Sequence, residues 1–183
     1  RRHAGGSTGQ RGGDAMKILV ASASKHGSTE EIGAFIAQRL RERGLDADAI
    51  PLEEVDGLLG YDAVVLGSAV YIGSWMKEAQ AFVKTKREHL GSMPVWLFSS
   101  GPTDPEGEHG PSDEARAELE DLVHPREHAV FFGAIDLDRL GFIEKRMVKA
   151  VKAPVGDFRD WELIGAFADR IADGLSREPA AAG

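Results

Sequence analysis

Short, continuously apolar runs alternate with amphipathic segments from Lys17 onward, and this alternation limits the folds open to the chain more than any other feature. Parallel strands buried on both faces are apolar throughout, whereas the helices that cover them show a 3.6-residue period. The alternation is therefore typical of a parallel sheet with helices on both faces. We predict five strands, at Lys17–Ala21, Asp46–Ile50, Ala63–Gly67, Val95–Phe98 and Ala129–Ala134.

Four helices are predicted from their apolar period and their end signals. The first covers Ser28–Arg43, with Ser28 and Glu31 at capping-box spacing and Gly44 as its C-terminal stop. A second has apolar positions at Trp75, Ala79, Phe82, Val83 and Leu90, a shorter one begins at Ser112, and a last one, capped by Asp160, has Trp161, Ile164, Ala168, Ile171 and Leu175 on one stripe. With right-handed crossovers, these elements predict a three-layer, doubly wound α/β fold, flavodoxin-like in architecture, with strand order 2-1-3-4-5.

The length of 183 residues fits one domain with one main site. Residues 1–15 are rich in Gly and lack an apolar period, so we expect a disordered leader or residues foreign to the native chain. The domain is predicted over residues 16–175, and a flexible tail over 176–183.

The composition argues against several classes of protein. A formal charge of −8 disfavours nucleic acid as a partner, and the lack of cysteine excludes disulfides, thiolate metal sites and cysteine-dependent phosphatases. No apolar run approaches the ~20 residues that a spanning helix needs, and no secretory signal is visible, so a cytoplasmic location is expected. The P-loop motif and the G-x-G-x-x-G motif of dinucleotide sites are both missing, and no metal site is predicted.

Small and hydroxyl-bearing residues follow three of the predicted strands. Ligands of doubly wound sheets bind at the carboxyl ends of the strands, where the winding reverses, so we expect these three strand tips to converge on one site. The tips consist of Ser22, Ala23, Ser24, Lys25, His26, Gly27, Ser28 and Thr29 after the first strand, Ser68, Ala69, Val70, Tyr71, Ile72 and Gly73 after the third, and Ser99, Ser100 and Gly101 after the fourth.

The first tip has the features of a phosphate-binding turn. Gly27 permits a tight turn, the hydroxyls can donate, and the following helix presents free N–H groups and the positive end of its dipole. Capping of the helix by the same hydroxyls is the alternative interpretation. Lys25 either pairs with the phosphate or faces solvent.

The other two tips can enclose a flat ring such as a flavin. Tyr71 can stack on the ring, and the N–H groups of residues 99–101 can meet its polar edge. Trp75 is interpreted either as an edge of this site or, in preference, as a core residue. The tips together predict bound FMN.

Three of these segments resemble the flavodoxin-type, menaquinone-dependent protoporphyrinogen dehydrogenase family: Ser22–Thr29, Leu66–Gly73, and Trp161-Glu162 at the head of the last helix. The resemblance spans roughly Met16 to Leu175. It implies a non-covalent FMN protein that oxidises protoporphyrinogen and passes electrons to a quinone at the membrane. One alternative is a flavodoxin-like carrier without its own substrate, whose acidic surface would attract basic redox partners. Another is a flavin-free scaffold.

Residues 139–152 form a locally basic segment. Leu140, Ile143, Met147 and Val151 follow helical spacing, between Arg139, Lys145, Arg146, Lys149 and Lys152. Such a helix can bind anionic lipid, and the resemblance implies a membrane-associating insertion near this position. A surface helix packed on the sheet is the alternative, and it is preferred here because only four apolar positions form the stripe.

The loop from Gly101 to Pro111 is predicted to be a lid or a docking rim beside the flavin. His26 and His109 are both able to donate a proton to a reduced flavin, but a lone His in a loop is more often an ordinary surface residue. Neither is assigned a catalytic role.

Overall fold

A computed structural model describes residues 16–101, 110–150 and 155–177, which leaves the predicted leader and residues 178–183 of the predicted tail outside the described residues. The strands are β1 (Lys17–Ala23), β2 (Asp46–Pro51), β3 (Ala63–Tyr71), β4 (Ser74–Trp75), β5 (Val95–Ser100), β6 (His128–Phe131), β7 (Ala134–Ile135) and β8 (Gly156–Asp157). The helices are α1 (Ser28–Glu42), α2 (Lys77–Leu90), α3 (Asp113–Val123), α4 (Phe142–Ala150) and α5 (Trp161–Ser176), with one-turn 3-10 helices at Leu52–Glu54 and Leu137–Arg139.

The main sheet has the parallel order β2-β1-β3-β5-β6. Strand β4 is a short addition that pairs antiparallel with β3, and β7 and β8 form a separate antiparallel pair. Without these short strands, the order is that of the predicted 2-1-3-4-5 sheet, so the doubly wound, flavodoxin-like architecture is confirmed.

Each face of the sheet has its own apolar core, because successive side chains of a strand point to opposite faces. On one face, Phe98 of β5 packs in a cluster with Ile36 of α1 and Phe167 of α5. On the other face, its neighbour Leu97 packs in a cluster with residues of α2 and α3 such as Val83 and Leu119. This is the three-layer arrangement that the apolar runs predict.

The central strands are longer than predicted. Strand β1 continues to Ala23, β3 to Tyr71 and β5 to Ser100, so the polar tips begin inside the sheet, with Ser68 in register with Ser99. The prediction ended each strand where its apolar run ended, whereas the ladder needs only backbone N–H and C=O groups. The last predicted strand is wrong in the opposite sense, because β6 ends at Phe131 and Ala134 belongs to β7.

The start of α1 at Ser28 is confirmed, but its predicted cap is wrong, and so is the predicted start of the second helix. The N-cap of α1 is Gly27, with φ of 88° and no side-chain cap, so Ser28 and Glu31 do not form the predicted capping box. Trp75 lies in β4, two residues before α2 begins at Lys77. The predicted cap Asp160 is confirmed, because its side chain accepts from backbone N–H groups of α5. Ser112, where a helix was predicted to begin, is the N-cap of α3, and its side chain accepts from the N–H of Ala115.

Helix α4 does not pack through its apolar stripe. Ile143 is 74% exposed and Met147 62% exposed, and no residue of α4 is buried. The preferred interpretation of this segment, a surface helix packed on the sheet by these residues, is therefore wrong for Ile143 and Met147. Val151 and Lys152 lie outside the described residues.

The contact between Gly67 and Phe98 gives a test of this packing. A Cβ at Gly67 would lie 2.0 Å from Cζ of the fully buried Phe98 ring in the neighbouring strand. We expect Gly67→Ala to lower the free energy of unfolding by about 1–3 kcal/mol through overpacking, measured by urea denaturation. Gly57→Ala is the matched control, because nothing lies within 4 Å of a Cβ there. Equal stability of the two variants would contradict this account.

Candidate functional site

A crevice of about 220 Å³ opens where the carboxyl ends of the central strands meet the start of α1. Seven predicted site residues line it, and they come from all three strand tips: Ser28, Thr29, Ala69, Val70, Tyr71, Ser100 and Gly101. Gly133, Ala134 and Ile135, which follow β6, complete the lining and were not predicted. The structure thus brings the three tips together, as expected from the rule for doubly wound sheets.

Other predicted residues point elsewhere. Ser22 lines a separate cavity beside β2, and Ala23 belongs to the buried core. The Ser68 hydroxyl donates to the Ala69 carbonyl at 2.8 Å and accepts from Met76 N–H at 3.0 Å, so it serves the fold. The Ser99 hydroxyl is likewise buried and occupied by other side chains.

Some backbone N–H groups at the start of α1 are already bonded to a side chain of the preceding turn. Ser24 Oγ accepts from the backbone N–H of Gly27 at 2.9 Å and of Thr29 at 3.3 Å. This pattern matches the alternative in which a hydroxyl of the turn caps the helix. Ser24 is a residue of the predicted phosphate turn, but it is not among the residues that line the crevice.

The same turn also contains a polar atom that the fold leaves unsatisfied. Thr29 Oγ1 is fully buried and has no hydrogen-bond partner, although Thr29 lines the crevice at the N-terminal end of α1. A buried hydroxyl without a partner is destabilising, whereas a donor next to a helix N-terminus suits an anion. Capping therefore does not account for the whole turn, and its chemistry fits a phosphate group.

Lys25 and His26 are engaged by a carboxylate from α4. Lys25 Nζ pairs with Glu144 Oε1, and His26 Nε2 lies 3.3 Å from the same oxygen. The Lys25 ammonium and the N–H of Gly141 lower the pKa of Glu144 to about 2, so this carboxylate is ionised at neutral pH. In the structure, Lys25 thus neither lines the crevice nor stands alone in solvent.

A second carboxylate near the turn, that of Glu31, binds two arginines. Its two oxygens lie 2.7 Å from Arg139 Nη1 and 2.6 Å from Arg159 Nη1, and these contacts lower the pKa of Glu31. Arg139 Nη1 also lies 3.5 Å from the position of a Cβ at Gly27, and Arg159 donates to the Ser28 carbonyl at 3.2 Å. The start of α1 is therefore fixed by residues from the distant segment between β7 and α5.

Sequence reasoning assigned no site role to Arg139 or Arg159. Arg139 was noted only within a basic segment, and no sequence signal marks Arg159, which is 128 residues from Glu31. Both arginines line a second cavity of about 540 Å³, and this cavity shares Ser28, Ala134 and Ile135 with the strand-tip crevice. The two cavities are therefore adjacent.

The turn between β3 and β4 directly follows Tyr71, which lines the crevice, and this turn is strained; Ile72 and Gly73 do not themselves line the crevice. Ile72 has φ of 49° and Gly73 has φ of 68°, which makes a two-residue hairpin turn. A β-branched residue seldom adopts positive φ, and Ile72 does so with its side chain fully exposed. Tyr71 is 47% exposed and lines the crevice, and partial burial raises the pKa of its hydroxyl. Backbone strain of this kind is concentrated at functional sites.

Trp75 is a core residue and not an edge of the crevice. It is 3% exposed, and its indole N–H donates to Ser99 Oγ at 2.8 Å. The preferred interpretation of Trp75 is therefore confirmed. His109 and the rest of the predicted lid over residues 102–109 lie outside the described residues.

Replacement of Thr29 tests whether its hydroxyl serves a ligand or the fold. We expect Thr29→Val to raise the free energy of unfolding of the cofactor-free protein by up to about 1 kcal/mol, because valine keeps the shape and removes the unpaired hydroxyl. Urea denaturation measures the change. Ser28→Ala is the control at the neighbouring position, and a loss of stability in Thr29→Val would contradict the assignment.

Comparison with known proteins agrees with this geometry. The family described as "Flavodoxin domain" matches residues 19–161. Protoporphyrinogen IX dehydrogenase [quinone] of Escherichia coli (strain K12) is 27% identical over 172 residues, 86% of this chain and 95% of that protein. Probable flavodoxin 1 of Bacillus subtilis (strain 168) is 33% identical over 89 residues, 46% of this chain and 56% of that protein.

Solved structures show the same fold. A flavodoxin from the domain Archaea superposes with a TM-score of 0.58 at 14% identity, over 88% of this chain and 100% of that chain. A cysteine-to-alanine mutant of flavodoxin from Pseudomonas aeruginosa has a TM-score of 0.57 at 17% identity, over 88% of this chain and 99% of that chain. The family match covers most of the chain, and we conclude that this protein belongs to the flavodoxin domain family.

Proposed function

We propose that this protein binds FMN non-covalently in the strand-tip crevice and is an FMN-dependent oxidoreductase. The observation that carries the proposal is the buried, unpartnered hydroxyl of Thr29 beside the N-terminus of α1. Membership of the flavodoxin family supports FMN as the ligand. When bound, FMN supplies reversible transfer of one or two electrons.

The residues of the crevice suit the two ends of this cofactor. The Thr29 hydroxyl, Ser28 and those N–H groups of the first turn of α1 that Ser24 does not occupy would hold the phosphate. Tyr71, with the exposed side chain of Ile72 next to it, would cover the ring, and the backbone of Ser100 and Gly101 would meet its polar edge. Gly101 has φ of 105° and lies against Gly133, so the backbone approaches closely where a larger side chain would fill the space.

An enzyme, in preference to a pure electron carrier, is supported by two observations. The relative from Escherichia coli, which matches along 95% of its length, is named for the oxidation of protoporphyrinogen IX with a quinone. The second cavity, of about 540 Å³, adjoins the crevice and offers room for a substrate beside the cofactor. We therefore propose oxidation of protoporphyrinogen, with electrons passed to a quinone, by a cytoplasmic protein.

Binding of FMN can be tested at Gly27. We expect freshly purified protein to show flavin absorption bands, and Gly27→Val to weaken FMN binding by more than about 100-fold, because valine strains the positive φ and crowds the turn. Fluorescence titration measures the affinity. Gly44→Val is the matched control at the other end of α1, since Gly44 has φ of 83° and open space around it. Equal affinity in the two variants would contradict the site.

The same titration applies to Thr29→Val. This variant should lose one hydrogen bond to a charged group, which corresponds to roughly 10- to 100-fold in FMN affinity. The combination of weaker FMN binding and a more stable cofactor-free protein would identify the hydroxyl as a ligand-binding group.

Substrate oxidation separates the enzyme from the carrier. Under anaerobic conditions, protoporphyrinogen should bleach the flavin bands, and a menaquinone analogue should restore them over repeated turnovers. A pure carrier would show no flavin reduction by protoporphyrinogen. Purified protein that is colourless and takes up no added FMN would contradict both the enzyme and the carrier.

A peripheral contact with the membrane is a further part of this proposal. Phe142, Ile143 and Met147 of α4 are 76%, 74% and 62% exposed, and Lys145, Arg146 and Lys149 lie among them. A helix of this kind binds anionic lipid, and contact at the inner face of the membrane would bring the flavin close to a quinone. No helix within the described ranges is long and apolar enough to span a bilayer.

Liposome flotation tests the membrane contact. We expect the protein to float with vesicles that contain anionic lipid, and the triple change of Lys145, Arg146 and Lys149 to Glu to abolish flotation, because it reverses the charge of α4. The matched control changes Lys77, Lys86 and Arg87 of α2 to Glu. Equal flotation of the two triple variants would refute a specific role for α4.

A further inference from the structure

Four side chains form a continuous hydrogen-bonded chain behind the crevice. Trp75 Nε1 donates to Ser99 Oγ at 2.8 Å, Ser99 Oγ lies 2.9 Å from His128 Nε2, and His128 Nδ1 lies 3.1 Å from Glu120 Oε1. Trp75, Ser99 and His128 are buried, and they come from β4, β5 and β6. The chain therefore links three strands to α3.

The direction of each hydrogen bond follows from the groups. An indole N–H only donates and an ionised carboxylate only accepts, so His128 carries its proton on Nδ1, toward Glu120. The His128 Nε2 atom then accepts the Ser99 proton, and Ser99 Oγ accepts from Trp75. Burial and the nearby Arg116 lower the pKa of His128 more than Glu120 raises it, which keeps the ring neutral. Every donor in the chain thus has an acceptor.

Ser99, His128 and Glu120 are hydrogen-bonded in the order of a catalytic triad, but their surroundings do not allow Ser99 to act as a nucleophile. The Ser99 side chain is fully buried, and its oxygen is already bonded to the Trp75 indole. The Trp75 ring also meets the His128 ring edge-on at 6.0 Å. Ser99 lines neither the crevice nor the cavity of about 540 Å³ beside it. The hydrogen-bonded side chains therefore have a structural role.

These four hydrogen-bonded side chains support the strained β3–β4 turn beside the crevice. Trp75 pairs with Val70 across the β3–β4 hairpin, whose turn places Ile72 and Gly73 at positive φ. A strained turn persists only where its surroundings fix it. Besides the Trp75 indole, the turn is fixed by Ser112 N–H, which donates to the Gly73 carbonyl at 2.8 Å.

Ser99 also lies directly before two residues of the crevice lining. Ser100 and Gly101 follow it in the polypeptide and line the crevice, as Tyr71 does. The Ser99 hydroxyl thus joins the β3–β4 hairpin, through the Trp75 indole, to the end of β5 at the crevice.

We propose that His128 is a positioning residue: through Ser99 and Trp75, it fixes the distance between the Tyr71–Gly73 turn and the Ser100–Gly101 wall, so that the crevice is preformed for the flat ring of the cofactor. The inference rests on the proposed function for the identity of FMN as the occupant. The preformed geometry itself belongs to the protein without cofactor. This role is distinct from contact with the ligand, since His128 does not line the crevice.

Two variants of His128 separate its two hydrogen bonds. The His128→Gln side chain reaches Ser99 with an amide oxygen as acceptor, whereas the shorter His128→Asn side chain reaches only toward Glu120. We expect His128→Asn to weaken FMN binding roughly tenfold, the typical effect of a buried group left without its partner, and His128→Gln to retain most of the affinity. Trp75→Phe keeps an aromatic ring without the N–H and should behave like His128→Asn.

A second measurement does not depend on the cofactor. Hydrogen exchange of the β3–β4 hairpin amides in FMN-free protein should be about tenfold faster in His128→Asn than in wild type, and close to wild type in His128→Gln. Leu119→Ala is the stability control, because Leu119 is a buried residue of α3 outside the hydrogen-bonded chain. It should lower the global stability with little change in FMN affinity.

The outcomes are separable. If His128→Asn and Leu119→Ala weaken FMN binding equally at equal loss of stability, the positioning role is overturned. If the wild-type protein takes up no FMN, the proposed function fails, but faster hairpin exchange in His128→Asn still supports the positioning role. Unchanged hairpin exchange in that variant overturns it.

Discussion

The strand ladder between β1, β3 and β5 is the constraint on which the rest of this structure depends. It continues beyond the apolar runs, because small residues such as Gly67 and Ser68 let three backbones stay in register up to the crevice. The Phe98 ring lies where a Gly67 side chain would be, so the residue opposite Phe98 in the sheet has to be small. Close packing of the strand ends thereby brings the three strand tips to one edge of the sheet, where they line the crevice.

Much of the fold was predictable because it follows from local patterns. The apolar runs and helix end signals indicated the elements, among them the helix start at Ser112 and the cap Asp160, and the rule of right-handed crossovers then indicated the sheet order. Strand ends were less predictable, since a serine can continue a ladder or begin a loop with the same sequence. Trp75 shows the same ambiguity, because its spacing fits the stripe of α2 although it lies in β4.

For the candidate site, the sequence predicted which backbone segments meet but not which side chains face the crevice. The three strand tips converge, but sequence could not show that Ser68 and Ser99 turn into the interior while Thr29 is left without a partner. For the two serines, the outcome depends on which face of the sheet the side chain occupies, and a shift of one residue reverses that face. Arg139 and Arg159 were missed because their partner Glu31 is more than 100 residues away in sequence.

These long-range ion pairs have a consequence for the order in which the molecule is assembled. The turn at Gly27 leaves the ribosome early, but Arg139 and Arg159, which fix the start of α1, follow 108 and 128 residues after Glu31. Until they have been translated, the amino-terminal part of the sheet lacks the side chains that fix its first helix. The start of α1 is therefore fixed only once Arg159, close to the end of the described domain, has been translated.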